Sequence, residues 1–243
     1  MKKYLFIILI TIFLMFSLNN CKKDKVLNND NEKAVENVTQ YVKDFGAYVY
    51  KNEEDLGKEP KEVKDKEWFE FGTKFTVLKS KNINNKDYYN IQLPDKTKYW
   101  VLKDALAEKF IVIIQNDVDT YSQPDQDFKT GIKLQPGDFG IYLKEQDGWI
   151  NVDFKAYRPQ KEGDEEKKWV GIKWIKEGYT DNILAAREGY YLYLAYYNEI
   201  TRKDKQKAIK YLKDALEINK GDRSDIYPVI EKYLQELGSN TNK

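Results

Sequence analysis

Histidine is absent from the 243 residues, and cysteine occurs once, at Cys21. Without histidine the chain lacks the commonest metal ligand and the usual general base near neutral pH. A single cysteine excludes an internal disulfide and any cluster of thiolate ligands. Charge of one sign is not in surplus either, with 41 basic residues against 40 acidic ones. A nucleic acid would require a basic surplus, so no nucleic-acid partner is expected. The one long apolar run, Tyr4 to Phe16, falls short of the roughly 20 residues that cross a bilayer as a helix. Catalytic material is thereby reduced to carboxylates, lysines and tyrosines, which occur throughout and single out no site. The chain is expected to have no catalytic residue, no bound metal and no cofactor.

What is present begins with a signal. Lys2 and Lys3 precede the apolar run, and Ser17-Leu18-Asn19-Asn20 leads into Cys21, the layout of a secretory signal peptide over residues 1–20. Leu18 and Cys21 are placed as in a bacterial lipoprotein signal, which the segment resembles. That resemblance implies acylation of Cys21, a membrane attachment through the N-terminal lipid, and a place in the cell envelope, on the periplasmic face or the cell surface. The alternative is an unmodified thiol in an ordinary signal peptide. Residues 22–33, "KKDKVLNNDNEK", carry too little apolar surface to repay ordering and read as a tether. Val35, Val38, Val42 and Phe45 then recur at helical spacing, which predicts one short amphipathic helix and completes a lipidated tether over residues 21–44.

From Phe45 the chain changes to short segments of Tyr, Phe, Trp, Val and Ile broken by Gly, Pro, Asp and Asn, the pattern of small antiparallel β-structure. Strands are predicted at 47–50, 74–80, 88–93 and 99–102, with Pro94-Asp95-Lys96-Thr97 as a hairpin turn in which Asp95 bonds the backbone two residues on. A second region repeats the order. Val118 to Tyr121 matches the first strand, and Leu134-Gln135-Pro136-Gly137 matches Glu70-Phe71-Gly72. Gly148-Trp149-Ile150-Asn151-Val152 matches Asp87-Tyr88-Tyr89-Asn90-Ile91, and Lys168-Trp169-Val170 matches Tyr99-Trp100-Val101. The length differences fall at 79–87, read as a longer turn, and at 155–167, read as a longer hairpin, where a duplicated fold tolerates them.

An extended opening strand, a Gly before the next strand, and an aromatic hairpin returning on Trp-Val resemble the bacterial SH3-like domain. "DYYNIQLPDKTKYWV" carries the likeness in the first copy, and "DGWINVDF" with "KKWVGIKWI" in the second. The resemblance implies two SH3-like barrels, over residues 45–109 and 110–181. Beyond Asp181, "GYYLYLAYYNEI" and "KAIKYLKDALEI" read as two helices and 225–237 as a third capped by Ser224. The first two are similar to a tetratricopeptide repeat, Ala208 and Ala215 keeping that family's spacing. One such unit cannot bury its own core, so the module at 182–243 is expected to pack on the second β-domain. The fold class expected is α+β, mainly β: two small SH3-like barrels followed by a helical hairpin or three-helix module.

Aromatic side chains are the concentrated functional signal, since Tyr and Trp pair a large apolar face with a polar handle. Strand alternation sets Tyr89 and Ile91 on one face and Tyr88 on the other. Tyr50, Tyr88, Tyr121 and Trp174 are the candidates for an exposed groove, and Tyr89, Trp100, Trp149 and Trp169 are read as mostly core with possible contact. The acidic run Glu162 to Glu166 has consecutive rather than alternating carboxylates, so it reads as a solvated hairpin tip and not a calcium loop. The leading functional expectation is a lipid-anchored protein whose SH3-like domains bind peptidoglycan peptides or an envelope protein without catalysis. The alternative is a periplasmic assembly scaffold that makes contact through its C-terminal helices. An envelope hydrolase ranks third, because nothing sets a carboxylate pair across a cleft.

Overall fold

The computed structural model describes residues 33–34, 38–43, 46–160, 166–219 and 221–239. The expected signal peptide, Cys21, most of the expected tether, and residues 161–165, which hold most of the acidic run, lie outside them. The first sheet contains β1 (Lys33–Ala34), β2 (Thr39–Val42), β3 (Gly46–Tyr50), β4 (Lys66–Glu70), β5 (Lys74–Ile83), β6 (Lys86–Gln92), β7 (Lys98–Leu102) and β8 (Leu106–Ala107). The second contains β9 (Phe110–Ile113), β10 (Val118–Tyr121), β11 (Lys129–Leu134), β12 (Phe139–Gln146), β13 (Trp149–Pro159), β14 (Lys167–Ile175) and β15 (Tyr179–Thr180). Three helices follow, α1 (Ile183–Tyr196), α2 (Lys205–Glu217) and α3 (Tyr227–Ser239), with a π-helical segment at Tyr197–Arg202 continuing α1. The protein is α+β with a β majority.

The two sheets have the same strand order. The first runs β4-β3-β7-β6-β5-β2-β8, with β1 added beside β5, and the second runs β11-β10-β14-β13-β12-β9-β15. The likeness reaches single residues. A bulge interrupts the β5–β6 ladder between Val77 and Lys79, and another interrupts β12–β13 between Tyr142 and Lys144. Asn90 stands opposite Trp100 and donates to the Tyr99 carbonyl at 3.3 Å, while Asn151 stands opposite Trp174 and donates to the Lys173 carbonyl at 3.3 Å. Lys79 lies over the Trp100 ring at 5.2 Å, and Lys144 over the Trp174 ring at 5.3 Å. Trp100 therefore corresponds to Trp174, and the sequence match of Trp100 to Trp169 is corrected. Each asparagine has a lysine opposite it on one neighbouring strand and a tryptophan on the other, and ties its strand to the carbonyl before that tryptophan. Asn151→Ala is expected to cost about 1 kcal/mol, and Asn90→Ala a similar amount, in urea unfolding.

Turn chemistry sets the registers. Asn84 and Asn85 have φ of 53° and 60°, and Asp147 and Gly148 have φ of 52° and 75°, the left-handed pairs that suit a two-residue hairpin. Residues 79–83 and 86–87 are thus strand, not turn, and the loop is only the asparagine pair. At the other hairpin Thr97 N–H donates to Asp95 Oδ1 at 2.9 Å, as the Pro-Asp turn predicts. Thr39–Val42 is a strand between β5 and β8 rather than part of a helix. Its short apolar spacing suits either structure, and pairing on both edges decides for the strand.

β9 reads Phe-Ile-Val-Ile and is buried throughout. Ile111 and Ile113 enter the core of the second sheet with Leu134, Ile150, Val152 and Phe154. Phe110 and Val112 face the other way and join Phe139 and Ile141 of β12 under the helices. Leu192, Leu212, Ala208, Ala215 and Ile230 close that layer, which also receives Tyr41 and Phe71 from the first sheet. Gly137 makes the close approach possible: its φ is 90°, and a Cβ there would lie 2.4 Å from Leu192 Cδ2. The helices share one apolar layer with the second sheet and with the edge of the first.

Candidate functional site: a tyrosine-lined groove

The aromatics chosen from strand alternation do not form an open groove. Tyr50 and Tyr88 are buried with Trp100, Leu56 and Val63. The connection 51–65 folds two short 3₁₀ turns across them, and Gly57 N–H donates to the Tyr88 hydroxyl at 3.2 Å. Burial pushes the Tyr50 hydroxyl above its ordinary range, with the neighbouring Tyr88 adding to the effect. Trp174 is also buried. Tyr121 is half-buried, its ring edge-on to buried Trp149 at 4.7 Å. Tyr89 is half-buried beneath Lys103, 5.8 Å from the ring centre. Trp100 and Trp149 are core, but Trp169 keeps 40% of its surface exposed.

Trp169 leads to the open site. Beyond the register shift between Phe154 and Tyr157, the β13–β14 hairpin continues past the sheet, with Tyr157 paired to Trp169. Tyr157 and Trp169 meet edge to face at 5.3 Å, and Trp169 meets Tyr193 of α1 at 6.2 Å. The hydroxyl of Thr201 reaches the Tyr157 hydroxyl at 3.4 Å. The hairpin is therefore packed against the end of α1 and the segment that continues it.

The π-helical segment shapes the floor. The buried Asn198 side chain donates to the Leu194 carbonyl at 2.7 Å, inserting an amide into the helical ladder, one of the identifiable causes of such a distortion. The segment ends at Lys203, with φ of 56°, and Asp204 then caps α2 by accepting from Lys207 N–H at 3.0 Å. A cavity of about 550 Å³ opens here, lined by Tyr193, Tyr197 and Tyr211 with Arg202 and Lys207. Arg202 Nε donates to the Tyr197 hydroxyl at 3.1 Å, which holds the guanidinium beside that ring.

A second cavity, of about 360 Å³, shares Tyr211 as a wall and extends to Trp68, Phe71 and Tyr191. Trp68 is 49% exposed and meets exposed Tyr48 edge to face at 4.9 Å. Burial pushes the Tyr191 hydroxyl upward, so it stays a neutral donor and acceptor. Ring faces, hydroxyls and cations of this kind grip a ligand by stacking and hydrogen bonding. No group of three or more metal-ligating carboxylates or thiols occurs among the described residues.

Sequence reasoning missed Trp68, Tyr193, Tyr197 and Tyr211. A signal was available: Tyr193 and Tyr197 stand four residues apart, on one face of a helix whose other face already has Ala185, Ala186 and Leu192 to bury. A helix that is aromatic on more than its core face has something further to contact.

No protein-family profile matches the sequence, and no curated protein matches it. Among solved structures the chain is similar to NlpC2 from Trichomonas vaginalis, at 13% identity over 65% of this chain, with a TM-score of 0.24. The chain spans about 55% of that structure's length.

Proposed function

We propose that the protein is a non-catalytic binding protein of the cell envelope, held to a membrane through a lipid on Cys21, with two SH3-like domains supporting a contact surface on the helical face. The observation that carries the reading is the open tyrosine-lined groove at the α1–α2 junction, beside which Trp169 of the β13–β14 hairpin meets Tyr193. The repeated strand order, bulge and asparagine bond support the SH3-like assignment of both sheets. The ligand is an extended peptide, supplied by peptidoglycan or by an envelope protein. Its backbone would find hydroxyls and cations, and its side chains would find ring faces.

Truncation does not test this, because removing residues 182–243 would uncover Phe110, Val112, Phe139 and Ile141. Point substitutions do. Trp169→Ala and Tyr197→Ala are expected to weaken retention on purified peptidoglycan sacculi by about ten-fold, a loss of roughly 1.4 kcal/mol, with an unchanged melting temperature. Absence of retention by the unaltered protein removes peptidoglycan and leaves the envelope-protein version. Retention that neither substitution weakens removes the groove.

A further inference from the structure

Arg187 lies on α1 at the cleft where the first sheet meets the helices, half-buried and lining the 360 Å³ cavity. Its side chain makes no ion pair and no hydrogen bond among the described residues, although Glu70 lines the same cleft at an exposed position. The turn at Gly72 passes beside it, a Cβ there falling 3.6 Å from Arg187 Nε, and φ of 73° holds that turn in the left-handed region. Trp68, Phe71, Tyr191 and Tyr211 line the same cavity. Every other arginine lining a cavity or core here has a partner: Arg158 is paired with Asp138, and Arg202 with the Tyr197 hydroxyl.

From this geometry we infer a second binding site, specific for a small carboxylate-bearing ligand with a flat apolar body. The planar guanidinium fork takes a carboxylate through two parallel hydrogen bonds. The charge is partly removed from water by the cleft, so an incoming anion regains what burial withholds from Arg187. The aromatic walls cover the ligand's body, and the cavity volume suits something the size of an amino acid or dipeptide. The site shares Tyr211 with the groove described above, but Trp169, Tyr197 and Arg202 take no part in it.

The test is titration of the purified full chain with N-benzoylglycine and with its neutral amide, reading the Arg187 Nε–Hε signal by NMR and tryptophan fluorescence. The acid is expected to saturate both signals and to bind about ten-fold more tightly than the amide. Arg187→Gln should abolish that preference, and Arg187→Lys should restore part of it. Trp68→Ala, at an exposed wall, should weaken acid and amide alike and serves where Arg187→Gln folds poorly. Equal binding of acid and amide, an acid preference that survives in Arg187→Gln, or no saturable binding of the acid overturns the site. Displacement of the acid by inorganic phosphate as readily as by acetate overturns its carboxylate specificity. Tyr197→Ala should leave the titration unchanged, which separates failure here from failure of the groove.

Discussion

Arg158→Ala is expected to remove about 3–5 kcal/mol of folding stability, the range for leaving one partner of a buried ion pair alone. Asp138 and Arg158 are 3% and 8% exposed, and they form two hydrogen bonds, Nε to Oδ2 at 3.0 Å and a terminal nitrogen to Oδ1 at 2.6 Å. Asp138 immediately precedes β12, and Arg158 sits in the part of β13 beyond its register shift. The guanidinium also donates to the Tyr157 carbonyl at 3.0 Å and lies 5.7 Å from the ring centre of Tyr196 on α1. One side chain thus joins the turn before β12, the projecting hairpin and a helix.

Without Arg158, the Asp138 carboxylate would keep, among the described residues, the Gln135 N–H at 2.9 Å as its hydrogen-bond donor and the more distant charge of Lys167. Burial already pushes its pKa up, against the guanidinium and that N–H, which pull it down. Removing the guanidinium raises it further. A carboxyl whose folded pKa lies above its unfolded value stabilises the fold at low pH and loses that contribution as pH rises from about 4 through the folded pKa. The deficit of Arg158→Ala should therefore be smallest in acid and grow toward neutrality in urea titrations. Replacing both residues by apolar side chains, Asp138→Leu with Arg158→Met, should recover most of the loss, because no buried charge is then left unpaired. A single substitution costing under about 1 kcal/mol, or a deficit that does not depend on pH, would show that water reaches the pair.

Local chemistry in the sequence reached the strands at 47–50, 74–80, 88–93, 99–102 and 118–121, the Pro94-Asp95 turn and the C-terminal helices, because each is set by neighbours along the chain; it failed at Thr39–Val42, read as helix. It also reached the duplication, since Asp87 to Ile91 and Gly148 to Val152 do occupy corresponding positions in the two ladders. It failed at Trp169. Two tryptophans in β14 are each followed by a β-branched residue, and only the pairing of Asn151 with Trp174 decides which one continues the repeat. Burial was the other gap. Strand alternation says that Tyr50 and Tyr88 leave the sheet on some face, but whether a face is open depends on what the 51–65 connection does across it. The groove was hidden for the same reason. Tyr193, Tyr197 and Tyr211 come from two helices, and Trp169 from a hairpin, so no local pattern joins them.

Phe139→Ala is the substitution that tests how far the helices are part of the β-structure. Phe139 is 2% exposed, and its ring lies 5.5 Å from Phe110, 5.6 Å from Phe71 and 5.8 Å from Tyr190. Those contacts join β9, the corner of the first sheet and α1 at one point. Truncation to alanine is expected to cost about 3–5 kcal/mol, combining lost transfer energy with a cavity that rigid sheet neighbours cannot fill. Its effect on cooperativity is more telling than its size. If the apolar layer binds helices and sheets into one unit, helical circular dichroism and tryptophan fluorescence should move to lower urea together and stay coincident. A helical signal that melts first, leaving the tryptophans of both sheets in their native environment, would mean that the helices fold as a separate module. In that case the groove at the α1–α2 junction would be held by the hairpin contacts, Trp169 with Tyr193, Tyr157 with Thr201 and Arg158 with Tyr196, and peptide binding should fail at the lower helical transition rather than at global unfolding.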